Sequence, residues 1–594
     1  MANSPLIDGT NLCSFEILSN GSEIPSTYEI LSIRVDRHLN RIAEAEIVLR
    51  DGSPSDQTFE ITDANTFKPG SSIDIKLGYH SKNDLVFKGI VLKQMIKIDD
   101  ISGSQLHIIC KDESLKLTVN RKNAIFSKQT DSAIMTKILG DYSISKDITS
   151  TTQEYEQVVQ YYVSDWDFIV SRAEINGMIV YTDNGKLVVD KPATSASPSL
   201  LLTYGFDITE FDGEIDATYQ YSDVQGNAWD ISNQDMVSGS SSEPSVNQQG
   251  NITGKDLAKV LSPGTTSVNA SIPIDDSVVK EWANAALLKS RLSRFKGTIS
   301  FQGSSLAKVN SVIELKGLGS RFNGNAYVSG VTHTIHEGQW VTEVKMGLSA
   351  EWFIEKEQIT APEASGLLPG IKGLQTGIVQ KMYEDPDNQF RVQVSIPILG
   401  AQGESVWARL ATFYTGNSFG AYFMPEVGDE VILGFMNDDP RFPVIIGSVF
   451  SSKIPAPETP DEKNSIKTLV TQSKLQLKFD EENKVITLLT PGGNTLVISD
   501  EDKGITLTDQ NSNKIQMNDS GIVIDSQSDL TLKAAQGVTI KGTTVSIDGS
   551  QSVSASGGTM SVSGDQTTEL KGGASCAVSS SGEMSVKGAT VMIN

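Results

Sequence analysis

Apolar and polar positions alternate over short stretches from residue 1 to about 365, interrupted by a few runs at helical spacing. Two stretches carry the same alternation: PGSSIDIKLGYHSKNDLVFKGIVLKQMIKID from Pro69, and VNSVIELKGLGSRFNGNAYVSGVTHTIHEGQW from Val309. Ile73-Asp74-Ile75-Lys76 matches Ile313-Glu314-Leu315-Lys316, and a second strand follows around Gly89-Ile90-Val91 and around Gly330-Val331. Side chains on a strand point alternately to its two faces, so each copy reads as a half-buried antiparallel pair. The pattern predicts two similar β-barrels in one chain, with helices between them. Thr130-Asp131-Ser132 caps a helix running through Leu139 and stopped by Gly140. Ser164 caps DWDFIVSRAEIN, whose Trp166, Ile169, Val170 and Ala173 share one face and which ends at Gly177. A third helix is expected over about 276–294, carrying Val279, Trp282, Ala286 and Leu287. The polar stretch 232–254 reads as an exposed loop.

Past the Pro- and charge-rich segment 453–468 the pattern changes. Pairs of apolar residues at i, i+2 return along the chain, from Leu475/Leu477, Ile486/Leu488 and Leu496/Ile498 to Met584/Val586 and Val591/Ile593. Their spacing is about ten residues at first and seven or eight from Ile515 onward. Each pair puts two side chains on one side of a short strand, and Gly, Asn, Asp and Ser between pairs supply turns. Two modest side chains per strand are too few for one chain to close a core. Three chains meeting at a common axis would fill a narrow prism, a rod of roughly 70 Å at ~4.8 Å per layer. Ile524, Leu532, Ile540, Ile547, Val562 and Val586 are the expected axial residues. A single-chain solenoid has the same period. The small side chains favour the three-chain form, since Phe479 is the only aromatic after residue 460.

These patterns divide the chain into 1–365, a compact strand-rich block 366–452, the linker 453–468 and the repetitive 469–594. The fold class is mainly β: tandem barrels with a helical insert, a further barrel, and an intertwined β-helical needle. The 594 residues carry a formal charge of −24, which argues against nucleic acid or an anionic membrane as the main partner. Cys13, Cys110 and Cys576 are too few and too scattered for a disulfide framework, so folding in a reducing cytosol is expected. The N-terminus has no basic-then-apolar secretory pattern, and no apolar run approaches the ~18 residues that span a bilayer.

Three motifs in order resemble the VgrG spike family and the fused hub-and-spike proteins of contractile phage tails. YYVSDWDFIVSRAEINGMIVYTDNGKLVV, from Tyr161, is similar to the family's S-D-W-x-F helix and following strand pair. GIVQKMYEDPDNQFRVQVSIP from Gly377, with Val406-Trp407-Ala408-Arg409, resembles the first half of its oligonucleotide/oligosaccharide-binding (OB) barrel. FMPEVGDEVILGFMNDDPRFPVIIGSVF from Phe423 carries the barrel's P-x-V-G-x-E-V and D-P-x-x-P-x-x-x-G signature. The resemblance implies a homotrimeric central spike of a contractile injection machine. Its pseudo-sixfold hub would mate with a hexameric inner tube and the baseplate. A PAAR-repeat tip protein would contact Val591, Ile593 and Asn594, and sheath contraction would drive the spike through a target envelope with effector cargo. Assembly in the cytoplasm and later ejection follow, in a type VI secretion system, a phage tail or an extracellular phage-tail-like particle.

No catalytic, cofactor or metal site is expected. Asp438 and Asp439 read as a turn, and His333 and His336 fall on opposite faces of a strand. The linker is too short for the lysozyme domain of some phage hubs. The tail has no His for a metal-bound tip, and the chain stops on the last apolar pair without a toxin extension. The rival readings are a polysaccharide-degrading β-helical enzyme and a host-binding fibre.

Overall fold

The computed structural model describes residues 3–6, 12–357, 359–400 and 405–593. It divides into two units, Met1–Ser448 and Val449–Asn594.

The first unit is organised by one 13-stranded sheet. Its first half holds β1 (Cys13–Ser19), to which the two-residue strand Ser22–Glu23 adds, β2 (Ile30–His38), β3 (Glu44–Arg50), β4 (Ser72–Tyr79), β5 (Lys82–Asp99) and β6 (Gly103–Lys111). Two helices follow, α1 (Asp131–Gly140) and α2 (Asp165–Ile175). The second half holds β7 (Leu201–Thr203), β8 (Ile208–Ile215), then helix α3 (Asp276–Leu292), β9 (Phe295–Gln302), β10 (Ser311–Lys316), β11 (Gly324–His336) and β12 (Gln339–Met346).

Within the sheet, β4-β5-β6-β3-β2 in the first half corresponds to β10-β11-β12-β9-β8 in the second. The likeness extends to register. The β5–β6 ladder slips between Val91↔Cys110 and Lys93↔Ile109, and β11–β12 slips between Val328↔Met346 and Gly330↔Lys345. The β2–β3 ladder slips between Ile30↔Leu49 and Ser32↔Val48, as β8–β9 does between Ile208↔Phe301 and Glu210↔Ser300. A bulge unpairs one residue and re-aims the strand, so coincident bulges mark the same structural unit twice.

This geometry corrects the alignment of the second strands. Gly89 pairs with Ile73 and Ala326 pairs with Ile313, so Gly89 corresponds to Ala326 and not to Gly330. Ile313 and Ala326 stand closer in sequence than Ile73 and Gly89 because the hairpin arms of β10 and β11 beyond that pair are shorter than those of β4 and β5. The two copies also share one sheet, because β2 pairs with β11 from Ser32↔His336 to His38↔Gly330. Each half keeps its own core. Ile33, Ile47, Ile75, Leu77 and Phe87 fill the first, and Ile299, Phe301, Ile313, Leu315 and Val331 the second. Ile335 and Trp340 belong by sequence to the second half but pack in the first core.

The helices form as their caps and stripes dictate. Thr130 Oγ1 accepts from Ala133 N and Ser164 Oγ from Asp167 N, and Gly177 takes φ +65° beyond α2. Asp131, at the start of α1, is fully buried and accepts from Arg172 Nε at 2.7 Å, Arg172 Nη2 at 3.0 Å and Asn176 Nδ2 at 2.8 Å. This pairing ties α1 to α2 and satisfies a charge that would be costly to bury alone. The expected loop 232–254 is only partly a loop. Asp235–Ser240 is an edge strand antiparallel to Asp223–Asp230, and Thr253 caps a helix over Gly254–Leu261. Backbone pairing makes that strand without an apolar pattern to announce it.

The unit ends in a closed five-stranded barrel of β13 (Gln375–Lys381), β14 (Val392–Ser395), β15 (Val406–Leu410), β16 (Glu430–Phe435) and β17 (Pro443–Ser448). Val379, Val392, Val394, Ala408, Val431, Leu433 and Ile445 fill it.

The second unit opens with a seven-stranded antiparallel meander: β18 (Ile466–Val470), β19 (Gln476–Asp480), β20 (Val485–Leu489), β21 (Thr495–Ser499), β22 (Gly504–Thr508), β23 (Lys514–Asn518) and β24 (Gly521–Asp525). β18 starts inside the stretch read as linker. Its signal was weak because one member of its pair, Lys467, is polar.

Candidate functional site

In the meander every strand is five residues long, and successive strands pair without a slip, so the i, i+2 pairs fall into straight columns. One column runs Leu469, Leu477, Leu488, Leu496, Leu507, Ile515, Ile524. The parallel one runs Lys467, Phe479, Ile486, Ile498, Ile505, Met517, Ile522. Between them, on the opposite face, lie Thr468, Lys478, Thr487, Val497, Thr506, Gln516 and Val523. The turns hold by side chain to backbone bonds: Asp480 accepts from Asn483 N, and Asp509 from Asn511 N and Asn513 N. Those bonds, with the side-chain amides of Asn483 and Asn513, keep both carboxyls below the usual range.

Among the described residues nothing covers the two columns. Leu488 is 46% exposed, Leu507 48%, Ile498 40% and Ile524 49%. Contiguous bare aliphatic surface of this size marks an interaction face. From Ser526 to Ile593 the described residues pair into no strand, and the rungs are barer still: Leu532 is 67% exposed, Ile540 66%, Ile547 74%, Val562 67% and Val586 69%. Of the six expected axial residues, Ile524 ends the first column and the other five lie on this unpaired stretch. A single chain brings none of those five together. Val591 and Ile593 are exposed, and Asn594 lies outside the described residues.

The other candidate residues have local roles. His333 is buried, with Nδ1 2.9 Å from Thr342 Oγ1, whereas His336 is exposed. Burial, with Arg37 nearby, pushes the His333 imidazole down to about 3. Asp439 accepts from Arg441 Nε at 3.0 Å and Nη2 at 2.7 Å, and the Asp438 carbonyl accepts from Ile371 N, so this pair builds a turn. A cleft of about 440 Å³ is lined by Arg34, His38, Glu174, Lys289, Glu343 and Lys345. Two of its charges, Lys289 and Glu174, pair at 2.7 Å. Among the described residues no group of three or more His, Cys, Asp or Glu is placed to hold a metal ion. No described helix is long and apolar enough to cross a membrane.

Three family models match. The Alg8 N-terminal domain covers residues 9–337, the type VI secretion system/phage-baseplate injector OB domain 375–450, and the phage baseplate V C-terminal trimerisation domain 485–568. The chain is 33% identical over 97 residues to the type VI secretion system spike protein VgrG4b of Pseudomonas aeruginosa, covering 15% of this chain and 12% of that one. It is 37% identical over 82 residues to the spike protein VgrG3 of Vibrio cholerae, covering 13% of this chain and 8% of that one. The matched stretches thus span about a tenth of these relatives' lengths. Among solved structures, the E. coli c3393 protein, a component of the type VI secretion system, is similar at 14% identity and a TM-score of 0.36, covering 73% of this chain and 100% of that one.

Proposed function

The chain belongs to the family of the Alg8 N-terminal domain and is a VgrG-type spike, and from that premise we propose that three copies form the central hub and spike of a contractile injection machine. The observation that carries the proposal is the pair of bare aliphatic columns, which enter the segment matching a trimerisation domain. In three copies the columns face a common axis, and residues 526–593 gain from neighbouring chains the backbone partners they lack within their own.

On this reading the doubled half-sheets of three chains present six similar units to a hexameric inner tube and the baseplate. The barrel over 375–448 connects hub and needle. Val591, Ile593 and Asn594 seat a PAAR-type tip protein. The role is mechanical rather than catalytic: contraction drives the spike through a target envelope and carries effectors with it, in a type VI secretion system or an extracellular phage-tail-like particle.

Native mass measurement of the full chain tests the stoichiometry, and electron microscopy of particles from a deletion strain tests the role. Three chains per assembly, and particles that fail to form without the gene, are expected. A monomer by mass, or intact particles that merely fail to adsorb, would replace the spike with a host-binding fibre.

A further inference from the structure

Three side chains from distant parts of the first unit meet beside the large cleft. Asn40 follows β2, Glu174 lies in the last turn of α2, and Lys289 lies in the last turn of α3. Glu174 is buried, and its Oε1 accepts from Lys289 Nζ at 2.7 Å and from Asn40 Nδ2 at 3.4 Å. Its Oε2 accepts from Phe353 N at 2.6 Å, which fixes the orientation of the carboxylate. The Asn40 amide is oriented as well. Val180 N, which can only donate, gives its hydrogen bond to Asn40 Oδ1 at 2.8 Å, so the amide nitrogen is the atom turned toward Glu174.

The surroundings keep bulk water away. The side chain of Lys289 is 15% exposed and that of Glu174 7%, and the Trp352 ring lies 5.2 Å from Lys289 Nζ. Asn40, Glu174 and Lys289, with Met178, Leu288 and Leu292, line a cavity of about 30 Å³, room for one molecule the size of water or ammonia. A structural ion pair needs only Lys289 and Glu174. Here a carboxamide shares the same carboxylate oxygen as the amine, and a backbone N–H polarises its carbonyl.

We propose that Lys289 and Asn40 join in an isopeptide bond from Nζ to Cγ, with Glu174 as the catalytic residue and ammonia as the leaving group. A proton passes from the Lys289 ammonium to Glu174 and frees the nitrogen lone pair. Nζ attacks Asn40 Cγ, and the Val180 N–H holds the oxygen as it takes up negative charge. Glu174 gives its proton to Nδ2 and takes one from Nζ. The Cγ–Nδ2 bond then breaks as the carbonyl re-forms. The departing ammonia takes the last proton from Glu174 and leaves as ammonium, which restores the carboxylate. The step is redox-neutral. Asn40 belongs to the first half, and Lys289 to the helix that leads into β9 of the second, so the bond braces the sheet where β2 meets β11. A cross-link between residues so far apart in sequence also restricts the unfolded chain. The bond lies within one chain, so it stands or falls independently of how many copies assemble.

Mass spectrometry of the denatured full-length chain tests this. The intact mass is expected to fall below that of the sequence by one ammonia. Trypsin does not cleave at an amide-linked lysine, so a branched peptide joining 38–41 to 281–291 is expected. That peptide separates the bond from ammonia lost when an asparagine cyclises on its own backbone. Lys289→Arg keeps a cation beside Glu174 but supplies no nucleophilic amine, and should restore the sequence mass and release 38–41 unlinked. Glu174→Gln should slow linkage roughly a hundredfold, read as free 38–41 in freshly purified protein. An unmodified chain with the full sequence mass and both peptides free would overturn the bond. A branched peptide that forms as readily in Glu174→Gln would overturn the role given to Glu174.

Discussion

His333 shows how residue identity and position part company. Its sequence neighbourhood, with His336 three residues on, offered a metal pair, and strand alternation separated the two. The fold then buried His333 against Thr342 and Trp340. An imidazole held neutral down to about pH 3, against 6.5 when unfolded, binds its proton more readily in the unfolded chain. The stabilisation from keeping it neutral is complete above about pH 6.5 and is lost as pH falls toward 3, on the order of a few kcal/mol at most. His333→Gln, which cannot titrate, should shift the acid unfolding midpoint of the first unit to lower pH. An unchanged midpoint in acid titrations followed by tryptophan fluorescence would remove His333 from that transition. The signal for this role was absent from the sequence, since depth of burial depends on strands far away along the chain.

At the scale of elements, repetition was legible and its geometry was not. Alternation located the doubled strands near Ile73 and Ile313, yet the second strands were aligned four residues out. Sequence spacing does not reveal where a hairpin's arms shorten, whereas bulges shared in the ladders do. The tail rungs were readable because turn residues and aliphatic pairs alternate at a short, steady interval. The sequence did not show that the rungs from β19 to β24 stack within one chain, joined by β18, that Phe479 rather than Leu475 shares the first rung with Leu477, and that the later rungs do not stack. If Ile547 faces a common axis, Ile547→Asp sets three carboxylates in one layer. That costs roughly 3 kcal/mol or more where burial leaves them unpaired. Ser546→Asp, one position away and outward, should be tolerated. Native mass after each substitution checks this: loss of trimer is expected for the first and retention for the second.

For the whole molecule, the two units draw on different sources of stability. The first has buried cores of its own, and the second has almost no buried side chain within one chain. All six tryptophans, from Trp166 to Trp407, lie in the first unit. Dilution should therefore reduce far-UV strand signal from the tail while tryptophan emission stays constant, and the tail's unfolding midpoint should rise with protein concentration. Coincident, concentration-independent loss of both signals would mean that the tail is stable without partners.

The sequence by itself determined the mainly β class, the duplication, the barrel signature and the ladder of paired apolar residues, because alternation, turn chemistry and small side chains are local properties. Tertiary structure decided the rest. It joined both copies into one sheet, set their register through matching bulges, made a strand of the polar segment 235–240, and left two aliphatic columns bare. Those outcomes depend on which backbone groups find partners at long range, and hydrophobic spacing along a chain carries no record of that pairing.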